Sequence, residues 1–294
     1  MSTVVAERTS GLGTPTWVRR FAWATLVANI GIVVTGGAVR LSGSGLGCPT
    51  WPRCTDQSFT PHGALNFHSA IEFGNRTLTF VLTAIAIATF ISALQTGRAE
   101  IRRLALLLAL SVPAQAVLGG VTVLTHLNPW VVSFHLLFSM GIISLAVLYL
   151  HRVSRPATTP TTTSGPHVFL AWSTYAVAWA VLALGTVVTG SGPHAGDLKA
   201  PRNGLDPLHL SQLHADFVFL LVGLTIALVI VHRSRVTLTL LAVELAQGLI
   251  GFVQYFTDLP AVLVGFHLLG ASLVAAAVTW VVIEVRETKS NHEC

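Results

Sequence analysis

The chain has 294 residues, 52% of them hydrophobic and only 10% charged, and its mean hydropathy is +0.70. A soluble domain carries about 25% charged residues, so the composition excludes one and gives an integral membrane protein whose main surroundings are the lipid bilayer. The net charge of +5 and pI near 9.6 do not signal nucleic acid, because the cations lie in short loops between apolar runs.

Met1 to Pro15 is polar and leads into a full-length apolar run, so no cleavable signal peptide is expected. Eight apolar segments follow: Phe21–Val39, Leu65–Leu94, Leu104–Leu124, Pro129–Leu150, Val168–Thr189, Leu208–Val231, Thr237–Phe256 and Pro260–Val285. Each is near the roughly 20 residues a spanning helix needs. The connections after segments two, four and six hold Arg98, Arg102, Arg103, Arg152, Arg155, Arg233 and Arg235, and the tails add Arg8, Arg19, Arg20, Arg286 and Lys289. The opposite side has Arg40, Arg53, Lys199 and Arg202. Twelve cations against four put both termini in the cytoplasm by the positive-inside rule.

The Thr/Pro/Ser-rich stretch 156–166 reads as a cytoplasmic linker between an N-terminal half, 1–155, and a C-terminal half, 167–294. The halves repeat. A shift of 132 lays Ala114-Gln115 on Ala246-Gln247, Gly119 on Gly251, Thr125 on Thr257, and Phe134-His135-Leu136-Leu137 on Phe266-His267-Leu268-Leu269. Thr35-Gly36-Gly37 likewise echoes Thr189-Gly190-Ser191. The expected fold is an all-α membrane protein, its eight transmembrane helices forming two repeated four-helix bundles related by an axis along the membrane normal.

The second segment opens with Phe67-His68-Ser69-Ala70-Ile71-Glu72-Phe73-Gly74-Asn75-Arg76. Helical spacing puts His68, Glu72 and Asn75 or Arg76 on one face. Ionisable groups inside a span are costly and mark a site for a ligand, proton or cofactor; the plainer reading is a self-satisfying Glu72–Arg76 pair. The loop 40–64 carries Cys48-Pro49-Thr50-Trp51-Pro52-Arg53-Cys54. Two thiols in one extracytoplasmic loop form a disulfide, and the prolines help the short loop turn. A structural staple and a labile redox pair are both open readings. Gly43-Ser44-Gly45-Leu46-Gly47 follows a membrane helix and lacks the Lys-Ser/Thr ending of a phosphate loop, so it reads as a turn.

His135, His214 and His267 each lie about seven residues inside their segments, counted from Pro129, Pro207 and Pro260, about 10 Å below the outer surface. A lone histidine in a span is more often a helix–helix hydrogen bond. Two repeat-related imidazoles and a third at equal depth instead suit axial ligation of haem iron between facing helices. His214 and His267 would grip one porphyrin, and His135 would face segment two, where depth matches Asn75 but proline spacing matches His68. His126 and His209 lie at the outer rim, where they could contact haem propionates or be ordinary surface residues; Glu244 lies in segment seven, where Gln247 or a neighbouring helix could pair with it, and has no assigned chemistry.

Taken together, these residues resemble the haem A synthase family, membrane enzymes of the cytochrome oxidase assembly route. The resemblance rests on residues 36–54 with their Ser-Gly-Leu-Gly-Cys-Pro…Trp-Pro…Cys loop, on Ile-Glu-Phe-Gly-Asn-Arg at 71–76, and on the two Phe-His-Leu-Leu motifs. It implies oxidation of the C8 methyl of haem O to a formyl group in a bacterial cell membrane, with the haem sites toward the extracytoplasmic side. It further implies haem b in the second half on His214 and His267, with haem O as substrate in the first. The family's Glu-x-x-His-Arg is Glu72-x-x-Asn75-Arg76 here, so His135 would hold substrate iron alone or with His68, while Arg76 belongs to the same site. Glu72 would position water or accept protons beside the methyl, and Cys48 and Cys54 would take part in the mechanism. The second cysteine pair of some relatives is absent. Haem O synthase and an unidentified electron acceptor are the implied partners. A di-haem electron-transfer or haem-handling protein would use the same histidines without methyl oxidation, and a small-solute transporter is a weaker third reading.

Overall fold

The structure, a computed structural model, describes residues 15–61, 67–155 and 165–287. It contains eight α-helices: α1 Pro15–Leu41, α2 Phe67–Leu94, α3 Ala99–Leu124, α4 Pro129–Val153, α5 Pro166–Ser191, α6 Pro207–Val231, α7 Arg235–Phe256 and α8 Ala261–Glu287. All eight are long and apolar enough to cross a membrane. Most extend beyond the apolar segments, because polar first and last turns (Arg19 and Arg20 in α1, Glu100 and Arg102 in α3) continue the helix without raising its hydropathy. Helix starts are set locally. Asn128 accepts a hydrogen bond from the amide of Trp130, Asp206 from that of Leu208, and Ser234 pairs reciprocally with Thr237 in a capping box. The Leu208 amide holds the exposed Asp206 carboxyl below its ordinary range.

Within each half the helices close a ring. The pairings α1·α2, α2·α3, α3·α4 and α4·α1 recur as α5·α6, α6·α7, α7·α8 and α8·α5. Among the described residues the diagonal helices do not pack together: neither α2 on α4 nor α6 on α8. The rings join through α1, α4, α5 and α8, and at the centre Thr279 donates to Ser144 at 2.9 Å between α8 and α4.

The turns repeat as well. His126 and Leu127, between α3 and α4, have φ of 52° and 60°, and Asp258 and Leu259, between α7 and α8, have 58° and 57°. Leu127 donates its amide to Thr122, and Leu259 to Gln254, each at 2.8 Å. Paired left-handed residues that are not glycine cost roughly 1–2 kcal/mol each. Packing offsets that cost, and at the first turn Leu127 is buried with Ala195 and Ala200 of the second half's loop.

Two sets of contacts tie the halves at opposite ends. At the end bearing the Cys48–Cys54 loop, Arg40 of α1 donates to the carbonyls of His194 at 2.5 Å and Thr189 at 2.9 Å, and the Gly45 amide donates to Gly196 at 2.7 Å. At the other end Glu287 of α8 accepts from Arg152 and Arg155 of the first half, each at 2.9 Å, and Arg152 also meets Glu100 at 3.0 Å. Arg40→Met removes two charge-assisted bonds, each worth about 1.5–3 kcal/mol. It should lower the unfolding temperature in detergent by about 5 °C or more; an unchanged transition would show that Arg40 does not join the halves.

Candidate functional site

His135, His214 and His267 share one local arrangement: each ring lies against a glycine of a neighbouring helix. A Cβ placed on Gly119 of α3 would be 3.5 Å from Cε1 of His135, one on Gly185 of α5 would be 3.2 Å from Cε1 of His214, and one on Gly251 of α7 would be 3.6 Å from Cε1 of His267. The His135–Gly119 and His267–Gly251 pairs are related by the shift of 132 (135 + 132 = 267; 119 + 132 = 251). Nδ1 of all three rings is buried without a hydrogen-bond partner, whereas buried polar nitrogens ordinarily have one. His214 also lies within reach of the Val181 backbone. His214 and His267 are close enough to interact electrostatically, although their helices do not pack together. The two imidazoles stand on diagonal helices of the second ring.

In the first ring, His135 on α4 has α2 on its diagonal. There Asn75 lies against Gly36 of α1, its Nδ2 4.0 Å from where a Cβ would stand, and its Oδ1 is buried and unpartnered. His68 is exposed, and its Nδ1 lies 3.0 Å from the Ser44 hydroxyl. The two residues between which sequence spacing left the choice open thus differ: Asn75 is inside the ring, and His68 is engaged with the loop.

The Cys48–Cys54 disulfide is formed, with both cysteines buried. Glu72 and Arg76 hold the loop it closes. Glu72 Oε2 accepts from the Cys48 amide at 2.6 Å, and Oε1 accepts from Arg76 Nη2 at 2.6 Å. Arg76 Nε also donates to Oε1 at 3.2 Å, and the three remaining guanidinium hydrogens go to the carbonyls of Cys48 at 2.8 Å, Thr50 at 3.0 Å and Arg53 at 3.2 Å. The i,i+4 pair on α2 is therefore a clamp on backbone that lies 23 to 28 residues earlier (76 − 53 = 23; 76 − 48 = 28). From there Trp51 reaches across to α3 and packs on Gly120, where a Cβ would run into its ring. Gly120 neighbours Gly119, which faces His135, so the loop lies beside the first ring's imidazole. Gly120→Val should expel Trp51 and speed reduction of the disulfide by an impermeant phosphine, read by thiol alkylation. Gly119→Ala, which meets only ordinary van der Waals contact, should not; equal rates would contradict this packing.

Other residues fall away from these centres. Glu244 is buried and accepts from Thr225 of α6 at 2.9 Å, so it pairs with a neighbouring helix rather than with Gln247. His209 is exposed and sits 2.6 Å from Asp206. His126 forms the left-handed turn described above. His62, His292 and Cys294 lie outside the described residues. Sequence reasoning counted Arg40 only as an outer cation and motif residue, without its contacts to the second half, and missed the glycine facing His214. The hexads Gly-Ile-Val-Val-Thr-Gly at 31–36 and Gly-Thr-Val-Val-Thr-Gly at 185–190 were the available signal for the glycine. Their first glycines differ in use, since Gly185 meets His214 and Gly31 has nothing within 4 Å.

Eight apolar helices long enough to cross a membrane, with a disulfide-closed loop between α1 and α2, define a multi-pass membrane protein. The family model described as cytochrome oxidase assembly protein matches residues 19–197, and the chain belongs to that family. It is 32% identical over 156 residues to the haem A synthase of Shewanella oneidensis, covering 48% of this chain and 46% of that one. It is 32% identical over 133 residues to that of Geobacillus thermodenitrificans (43% and 41%), and 30% identical over 129 residues to that of Geobacillus kaustophilus (42% and 40%). The matched stretch spans less than half the length of each of these curated relatives. The resemblance drawn from the loop and histidine motifs is thereby borne out at the level of the family.

Proposed function

We propose that this chain is a haem A synthase, oxidising the C8 methyl of haem O to a formyl group at the first ring while the second ring carries haem b. The observation that carries this reading is the trio of imidazoles on α4, α6 and α8, each with its ring against a glycine of a neighbouring helix, with His214 and His267 on diagonal helices of the second ring. Such a donor set fits haem: imidazole bases on facing helices, each beside a glycine that leaves its ring room. His214 and His267 would hold haem b, and His135 would hold substrate iron. Iron porphyrin supplies the one-electron chemistry that methyl oxidation needs.

The chain's own residues do the rest. Asn75 offers an amide where the family has an imidazole, leaving His135 the first ring's basic nitrogen. Arg76 and Glu72 hold the loop against α2, and Trp51 closes it toward α3, keeping water from the first ring. Glu72 is the acid–base group of this half: a proton arriving at Oε2 ends its bond to the Cys48 amide and so couples proton uptake to loop position. Cys48 and Cys54 then act first by holding that loop closed. The cation bias puts this end of the bundle outside the cell, with both termini in the cytoplasm. The substrate implies a haem O synthase upstream and an electron acceptor in or at the membrane. Expression in cells that make haem O but no haem A tests the reading, with haems separated by reversed-phase chromatography. Haem A should accumulate; haem bound to the chain with no haem A made would identify a carrier instead.

A further inference from the structure

The two rings correspond helix by helix, and at one position they differ. His135 lies six residues into α4, and His267 six into α8 (135 − 129 = 6; 267 − 261 = 6). On the diagonal helices, His214 lies seven residues into α6 and Asn75 eight into α2 (214 − 207 = 7; 75 − 67 = 8). Each packs on a glycine of the preceding helix at a matching height. Gly185, six residues before the end of α5, meets His214, and Gly36, five before the end of α1, meets Asn75 (191 − 185 = 6; 41 − 36 = 5). Asn75 therefore stands in the first ring where His214 stands in the second. It cannot replace an imidazole on iron, because its amide nitrogen carries two hydrogens and only its oxygen accepts. His68, the other candidate on α2, is exposed and 3.0 Å from the Ser44 hydroxyl. Among the described residues, the α2 side of the first ring thus offers a neutral amide and no nitrogen base. Asn75 Oδ1 is buried without a partner, a state that buried polar atoms seldom keep. The amide can present its oxygen or its two N–H donors to a small molecule. Hydrogen-bond donors and access on the side of haem opposite its fixed ligand decide whether iron takes a small ligand or only passes electrons.

Resting on the reading that both rings hold haem, we propose that the first ring gives iron one protein ligand, His135, and leaves the axial position on its α2 side to a small ligand. Asn75 is the positioning residue that hydrogen-bonds that ligand. The second ring, with an imidazole on each diagonal helix, has no such position. The test loads full-length chain in mild detergent with two ferric protohaems and follows spin state by low-temperature paramagnetic resonance as azide is added. One high-spin and one low-spin iron are expected per chain, and azide should convert the high-spin one alone. Asn75→His should make both irons low-spin and end azide binding. Asn75→Leu should keep the high-spin signal and weaken azide about tenfold, through loss of one hydrogen bond; His68→Ala should change neither. Two low-spin irons in the unaltered chain, a first-ring iron that becomes high-spin only in His68→Ala, or equal azide affinity in Asn75→Leu would each overturn the proposal. A chain that takes up no haem would overturn it together with the reading on which it rests.

Discussion

Purified with alanine in place of His267 or His214, the chain should keep no more than about a tenth of the haem held by its second half. Disturbing even the hydrogen-bond partners of a metal ligand costs about 10–100-fold in affinity, and removing the ligand costs at least that. The loss should come without unfolding, because each ring is half-buried and packs against a glycine, so truncation breaks few contacts of the core. Imidazole added to the alanine variants should restore part of the haem content, which a general packing defect would not allow. Gly185→Val makes the complementary test: it leaves His214 intact but puts methyl groups where its ring lies, 3.2 Å from the Cβ position, and should reduce haem content through displacement of the ring alone. Retention of haem in His214→Ala and His267→Ala would remove both residues from the site.

Glu72→Gln is the second substitution with a large expected effect, because it acts on the loop and on proton transfer together. The amide can still accept from Cys48 but cannot hold Arg76 as an ion pair. Breaking a fully buried pair costs about 3–5 kcal/mol, and since the Arg76 side chain is 22% exposed the expected cost is lower, about 1–3 kcal/mol. Haem A formation should fall about 100-fold or more, the contribution of a positioned acid–base group, and the disulfide should be reduced several times faster. Arg76→Lys separates the two roles. It leaves Glu72 its charge but loses the guanidinium that serves three carbonyls at once, so it should loosen the loop with a smaller loss of haem A. Normal haem A formation by Glu72→Gln with a loosened loop would confine Glu72 to holding the loop.

Much of this arrangement was legible in the amino-acid order because the bilayer admits few solutions. Eight apolar runs could only be eight helices, and a Gln and a His at one offset exposed the repeat. Cys48 and Cys54 were close enough in sequence for their pairing to be read directly, and the i,i+4 spacing of Glu72 and Arg76 made their contact evident. What could not be read were contacts set by helix rotation and loop path. Arg40 reaches carbonyls at Thr189 and His194, residues that no local pattern links to it. The second oxygen of Glu72 goes to a backbone amide, which has no residue-type signature. His68 and Asn75 share a helix face, and only the placement of Ser44 and Gly36 on neighbouring segments separates their surroundings. The left-handed turns at His126-Leu127 and Asp258-Leu259 were hidden because leucine seldom adopts that conformation without tertiary support.

Whether imidazoles on diagonal helices grip iron porphyrin is read most directly from the haem content and type of the purified chain. A pyridine haemochrome assay combined with a low-temperature paramagnetic resonance spectrum reads both. Haem b with the low-spin signal of two imidazole ligands is the expected result, lost when His214 and His267 are both replaced by alanine. A preparation that contains no haem after expression in haem-replete cells, or whose low-spin signal survives the double replacement, would contradict it.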